Sequence, residues 1–269
     1  MKYIISESQY KKLIGEQSSD GEVLRLPNLS YFGGWDNLQQ YLAKKNYPPY
    51  SIEDEVDLSD SDVKSLGNLV SVKGSLHLNG SKIESLGDLR SVGGDLVLAW
   101  TKLKSLGNLT HIGRNADLAE SKLESLGDLT TVGGNFSVVD TKKLKSLGNL
   151  TEVGGNVSLQ ASNVKSLGNL TEVGGDAELF LLKIKSLDNL TTVGGNLSLY
   201  SSHNLENLGN LTSVGGNLEL GLTNVRSFDN LKKVGGDLML RGCNILYDYN
   251  SPKKIRSIVD VGGKVKTKL

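Results

Sequence analysis

The chain predicts a mainly β fold: a right-handed solenoid of about ten coils, with a small helical cap at the N-terminus and a second cap at the C-terminus. Three observations predict it. The phrase S-L-G-[ND]-L returns every 20 or 21 residues, its first leucine falling at Leu66, Leu86, Leu106, Leu126, Leu147, Leu167, Leu187 and Leu208. Two copies depart from it, with Asp188 for the glycine and Asn207 for the serine, and a variant, Ser227-Phe228-Asp229-Asn230-Leu231, follows. A Gly-Gly pair followed by Asn or Asp recurs from Gly93-Gly94 to Gly235-Gly236. Finally, Pro27, Pro48, Pro49 and Pro252 all lie outside residues 50–251, as expected where backbone N–H groups pair between coils.

Within a coil, alternation after the Gly-Gly pair marks one short strand, as in Leu96-x-Leu98, Leu197-x-Leu199 and Leu238-x-Leu240. Three residues on comes a small hydroxyl residue, Ser81, Thr101, Ser121 or Ser162, and then an aliphatic one. In one coil Val92, Leu96, Leu98, Leu103, Leu106 and Leu109 should point inward. The rest of so short a unit has room only for extended chain or a single 3₁₀ turn. The Gly-Gly pairs read as tight corners of positive φ where stacked coils leave no space for a Cβ. The two 21-residue spacings imply one extra residue near Lys142-Lys143 and His203-Asn204, outside the strand. Ten coils at strand spacing give a rod of about 45–50 Å.

These strings resemble a known family. L-x-L-x-x-[ST]-x-L-x-S-L is similar to the leucine-rich repeat, with Ser or Thr where Asn is usual. V-G-G-x-L-x-L-x-x-T-x-L-x-S-L resembles still more the L domains of growth-factor receptor ectodomains and the short repeats of bacterial and phage interaction proteins. The resemblance runs over residues 52–243. It implies a β-helix-like scaffold, and a ligand that differs from case to case.

The ends break the repeat. Residues 1–50, read as an aromatic-rich helical cap, hold eight aromatic residues, Tyr3, Tyr10, Tyr31, Phe32, Trp35, Tyr41, Tyr47 and Tyr50. One short helix is expected over 6–13 and another from an Asp36 cap to about Asn46, with a linker over 16–21. Residues 51–243 form the solenoid and 244–269 the C-terminal cap, where Pro252 should open a helix and Gly262-Gly263-Lys264-Val265-Lys266 repeats the corner and strand. Residues 1–60 carry 6 basic and 10 acidic side chains and residues 241–269 carry 7 and 2, so self-association through the ends is one expectation.

Composition narrows function. Apolar residues make up 38% and aromatics 6% beside 32 glycines, which suits a turn-rich repeat better than a layered enzyme. Thirty basic and 30 acidic residues cancel, which argues against a nucleic-acid partner held by bulk charge. Cys243 stands alone and in a Ser/Thr position, so neither disulfides nor a cysteine zinc site hold the fold. No apolar run is long enough to span a membrane, and the opening stretch has no signal-like apolar segment; a cytoplasmic or virion-associated protein is expected.

Chemistry-bearing groups are scattered. Asp57 and His77 share an outward row, and so do Glu120 and Asp140, without a nucleophile beside either. A threonine row, Thr110 to Thr212, and a lysine row, Lys82 to Lys183, read as solvated surface. No catalytic residue, metal ligand or cofactor is expected. What varies is the outward strand face, which carries Trp100, Val139, Phe180, Leu181, Tyr200, Leu222 and Met239 where polar residues would serve solubility. A protein partner held on that face is the first expectation; a structural or fibre component and a carbohydrate or polyanion binder are the alternatives.

Overall fold

The computed structural model describes residues 23–267. The helix expected over 6–13 and the linker over 16–21 lie outside them. The fold is a parallel β-solenoid in which every coil contributes two short strands flanking a corner. A first sheet of 12 strands runs from Leu24–Leu26 to Asp260–Val261, and a second of 11 strands from Val56–Asp57 to Val265–Lys266. All pairings are parallel and join successive coils, for example Ser91 with His111 in the first sheet and Leu96 with Ala116 in the second. The third side of the coil is extended, touching the next coil through single bridges such as Ser105 to Ser125.

Val92, Leu96, Leu98, Leu103, Leu106 and Leu109 are all buried, as their spacing predicts, and one continuous aliphatic core fills the tube. The first-sheet strands escaped the sequence reading because in the repeats most are two residues long and run straight into the glycine corner, whereas after the corner the inward alternation continues beyond the strand, as in Leu96-x-Leu98. Both extra residues, near Lys142 and His203, fall outside the sheets, and the register resumes at Thr131 with Glu152 and Thr192 with Ser213.

The Gly-Gly corner corrects an expectation. None of these glycines has positive φ. They are glycine because the coil below is too close: a Cβ on Gly93 would fall 2.3 Å from the Lys73 carbonyl oxygen, and one on Gly174 2.2 Å from that of Gly154. Positive φ belongs instead to the glycine of S-L-G, as at Gly107 with φ 59°. Asp188 takes the same conformation at φ 51°, and its Oδ2 accepts from the Leu167 N–H and the Ser166 hydroxyl, both at 2.8 Å.

After each corner the Asn or Asp side chain builds a ladder outside the backbone sheets. The Asn135 amide N–H donates to Asn115 Oδ1 at 2.8 Å, Asn156 to Asn135 at 2.8 Å and Asp176 to Asn156 at 2.8 Å. The ladder runs from Ser75 to Lys264, whose N–H donates to Asp237 Oδ1 at 2.7 Å. That bond, aided by Lys266, holds the Asp237 carboxyl below its ordinary range. A buried hydroxyl column runs inside, where Ser81, Thr101 and Thr223 donate to the carbonyl three residues before. Cys243 continues the column, buried, 3.2 Å from the Thr223 hydroxyl, with burial raising its thiol pKa.

Both ends are plugged. At the N-terminal end Leu24–Leu26 adds a strand to the first sheet alone, and helix α1, Trp35–Ala43, buries Leu38 and Leu42 against the core. Gly34, not Asp36, occupies its cap position, and Asp36 sits in the first turn. At the C-terminal end helix α2, Pro252–Arg256, is capped by Ser251, which accepts from the Lys254 N–H. In each coil the Gly-Gly N–H groups donate to the preceding coil, as Gly262 does to Val234 and Gly263 to Gly236. No further coil lies among the described residues, and the Arg256 guanidinium donates to the Val261 and Gly263 carbonyls. One side chain thereby takes the two corner acceptors that elsewhere receive the N–H groups of the next coil.

Candidate partner-binding edge

Where the second sheet ends, each coil turns sharply through one residue in the left-handed conformation. These residues form a column of ten, Asp60, Gly80, Trp100, Glu120, Asp140, Ala161, Leu181, Ser201, Leu222 and Gly242, with φ from 53° to 69°. The turn is locked from the next coil. The Leu181 N–H donates to the Tyr200 carbonyl at 3.0 Å and the Leu222 N–H to that of Arg241 at 3.0 Å. Because the ladder dictates the backbone, a side chain with no taste for positive φ is held there all the same.

Three of the ten are large and apolar, and they face water: Trp100 is 65% exposed, Leu181 64% and Leu222 39%. Tyr200, 40% exposed, stands one position before the column. Its ring lies along Gly221 of the next coil, where an added Cβ would come within 2.9 Å of Tyr200 Cδ2. Leu222 likewise rests on Gly242, whose Cβ would meet Leu222 Cδ2 at 2.7 Å. Neither glycine shelf was singled out in the sequence.

The structure divides the predicted face. Phe180, Leu181, Tyr200 and Leu222 come from neighbouring coils and form one patch, with Phe180 half-buried. Trp100 stands four coils before Leu181, about 19 Å away at strand spacing, with Glu120, Asp140 and Ala161 between. Val139 and Met239 are half-buried, Met239 lying on the second sheet itself rather than on the edge.

The other candidates resolve into structure. Asp57 and His77 are register partners, and Asp57 is held below its ordinary pKa chiefly by the Ser59 hydroxyl and N–H, with His77 contributing least. Asp140 pairs with Lys142. The threonine row is tied inward: Thr130, Thr171 and Thr191 each donate to the carbonyl of the threonine one coil below at 2.8–2.9 Å. Among the described residues no group of three His, Cys, Asp or Glu side chains is placed to hold a metal ion, and no helix is long and apolar enough to cross a membrane. No protein-family model matches the chain, and no curated protein matches it.

Proposed function

We propose that the protein is a non-enzymatic binding module that holds a protein partner on the edge formed by Leu181, Leu222, Tyr200 and, further along, Trp100. The observation that carries this reading is the exposure of Leu181, Leu222 and Trp100 at φ near 60°. A non-glycine residue there costs about 1–2 kcal/mol. Gly80 and Gly242, at equivalent positions, avoid that cost, and Asp60 is of a type that tolerates the conformation. Trp100 and Leu181, about two-thirds exposed, bury little apolar surface in that place, so strain and exposure together point to use by something outside the chain.

The leucine-rich-repeat and L-domain character belongs to the same proposal, supported by the inward hydroxyl column that bonds inner carbonyls as the family's Asn does. Its phage or bacterial interaction type, and a cytoplasmic or virion-associated location, rest on the sequence resemblance and the expectations drawn from it. Assembly by end-to-end stacking is disfavoured by Arg256, which occupies the Val261 and Gly263 carbonyls a second copy would need.

The test is capture of partners from lysate on wild-type protein and on a Leu181→Ser/Leu222→Ser variant. These leucines are the better choice than Phe180, whose half-buried ring also serves packing. A partner retained only by the wild type, with both proteins equally stable to heat, supports the reading. Equal capture by both sinks it.

A further inference from the structure

We infer that the partner of this edge is acidic: a protein segment carrying both carboxylates and large apolar side chains. The inference rests on the binding edge proposed above and adds the chemistry of what it takes. The side of the solenoid that follows the edge is rich in lysine. Lys102 and Lys104 follow Trp100, Lys183 and Lys185 follow Leu181, and Lys122 and Lys165 lie between; all six are exposed. They span about 20 Å at strand spacing.

Along this side and its edge Glu84, Glu120 and Glu206 are exposed and make no ion pair among the described residues, while three other acids are neutralised. Asp62 pairs with Lys82 at 2.7 Å, Glu124 with Lys143 at 2.9 Å, and Asp140 with Lys142. Both Asp62 and Glu124 are held below their ordinary pKa by those lysines. The six lysines named above make no ion pair among the described residues. On the two sheets the outward residues lean the other way, with Glu152, Glu172, Glu178 and Glu219. The formal net charge of zero therefore conceals segregated faces, and the apolar edge lies between them, with the lysine side following it and Glu178 and Glu219 before it.

Charge complementarity selects an acidic partner and disfavours basic ones by like-charge repulsion. The leucines decide its class. A nucleic acid or sulfated polysaccharide needs the lysines but has no use for aliphatic side chains at strained, exposed corners, whereas a protein segment buries them.

A displayed library of random dodecapeptides, selected on the full chain, tests this without knowledge of the natural partner. Selections run on the wild type, on Lys183→Glu/Lys185→Glu and on Leu181→Ser/Leu222→Ser, all checked for equal melting temperature. The expected result is enrichment on the wild type of peptides with net negative charge and at least one Leu, Phe or Trp. A synthesised winner should bind the lysine-reversed variant at least about 10-fold more weakly. Neutral or basic winners, or affinity indifferent to lysine reversal, would overturn the acidic partner while leaving the apolar edge intact. Winners indifferent to the leucine variant would overturn both. Heparin or phosphatidylserine vesicles binding as tightly as the winning peptide, whatever stands at 181 and 222, would show that the lysines read charge alone and also overturn the inference.

Discussion

Every coil has two sharp corners flanking the second sheet, and they obey opposite rules. The corner before it is Gly-Gly in most coils, with Lys73-Gly74 and Gly113-Arg114 among the departures, yet its glycines are not left-handed. The corner after it is left-handed in all ten residues of its column, yet only Gly80 and Gly242 are glycine. The first is glycine in most coils because the neighbouring coil's carbonyl fills the space a Cβ would need, although Lys73 and Arg114 are accommodated at equivalent positions. At the second, the side chain projects from the stack, and a Cβ at Gly80 or Gly242 would meet only the movable side chains of Asp60 or Leu222, so the neighbouring backbone imposes little and the intrinsic preference of the residue is the main opposition to an unsuitable choice. A cost of about 1–2 kcal/mol per residue is small beside the burial of a continuous core. Space between coils is thus a hard constraint and backbone preference a soft one, and variation accumulates where the constraint is soft.

The largest expected effect breaks the hard corner. Gly174→Ala puts a methyl 2.2 Å from the Gly154 oxygen, and the coils must part to admit it. Stability should fall by about 3–5 kcal/mol, read from the urea midpoint. A loss below about 1 kcal/mol would show that the stack yields easily and that the preference for glycine has another cause.

Removing the terminal plug comes next. Arg256→Ala leaves the Val261 and Gly263 carbonyls without their donors, which should lower stability by about 1–3 kcal/mol. It also opens a sheet edge, so sedimentation should show concentration-dependent association absent from the wild type. A monomeric variant of unchanged stability would mean that water satisfies the last coil equally well.

At the soft corner the expected sign reverses. Leu181→Gly relieves a positive-φ side chain that is mostly exposed, and the melting temperature should rise, with a gain of up to about 1 kcal/mol, even as partner binding is lost. Destabilisation would instead make Leu181 part of the fold and remove the argument for a binding edge.

The smallest effect sharpens how the ladder ends. Asp237 has a depressed folded pKa, so its contribution is fully present above the ordinary carboxylate value of 3.8 and is lost as pH falls through the lower folded value. Amide exchange at Lys264 should therefore quicken, relative to interior coils, only under strongly acid conditions. Asp237→Asn, which keeps the acceptor oxygen, should abolish that pH dependence; an unchanged profile would assign it elsewhere.

Legibility followed the same division. The six inward positions of a coil could be read directly, since burial recurs at fixed offsets and a repeat multiplies the signal. The first sheet could not, because its short strands run straight into the glycine corner and mostly show one inward residue each, while most of those in the second sheet are extended by a further inward aliphatic residue. The Asn and Asp ladder was visible as a repeated residue but not as a bond, since the acceptor of each rung lies one coil away. Arg256 gave no signal at all: its role depends on two backbone carbonyls, of Val261 and Gly263, that only the folded corner brings to it. At the edge, the apolar residues were legible as departures from the repeat, while their left-handed backbone and the shelves at Gly221 and Gly242 were not.

The sequence by itself determined that the chain stacks in short parallel coils around an aliphatic core, because only stacking buries one face of so short a unit. Tertiary structure alone decided why each glycine is glycine, which polar side chains join coils, and which outward residues meet on one edge. Those properties arise from atoms one or more coils apart, at distances that successive residues do not encode.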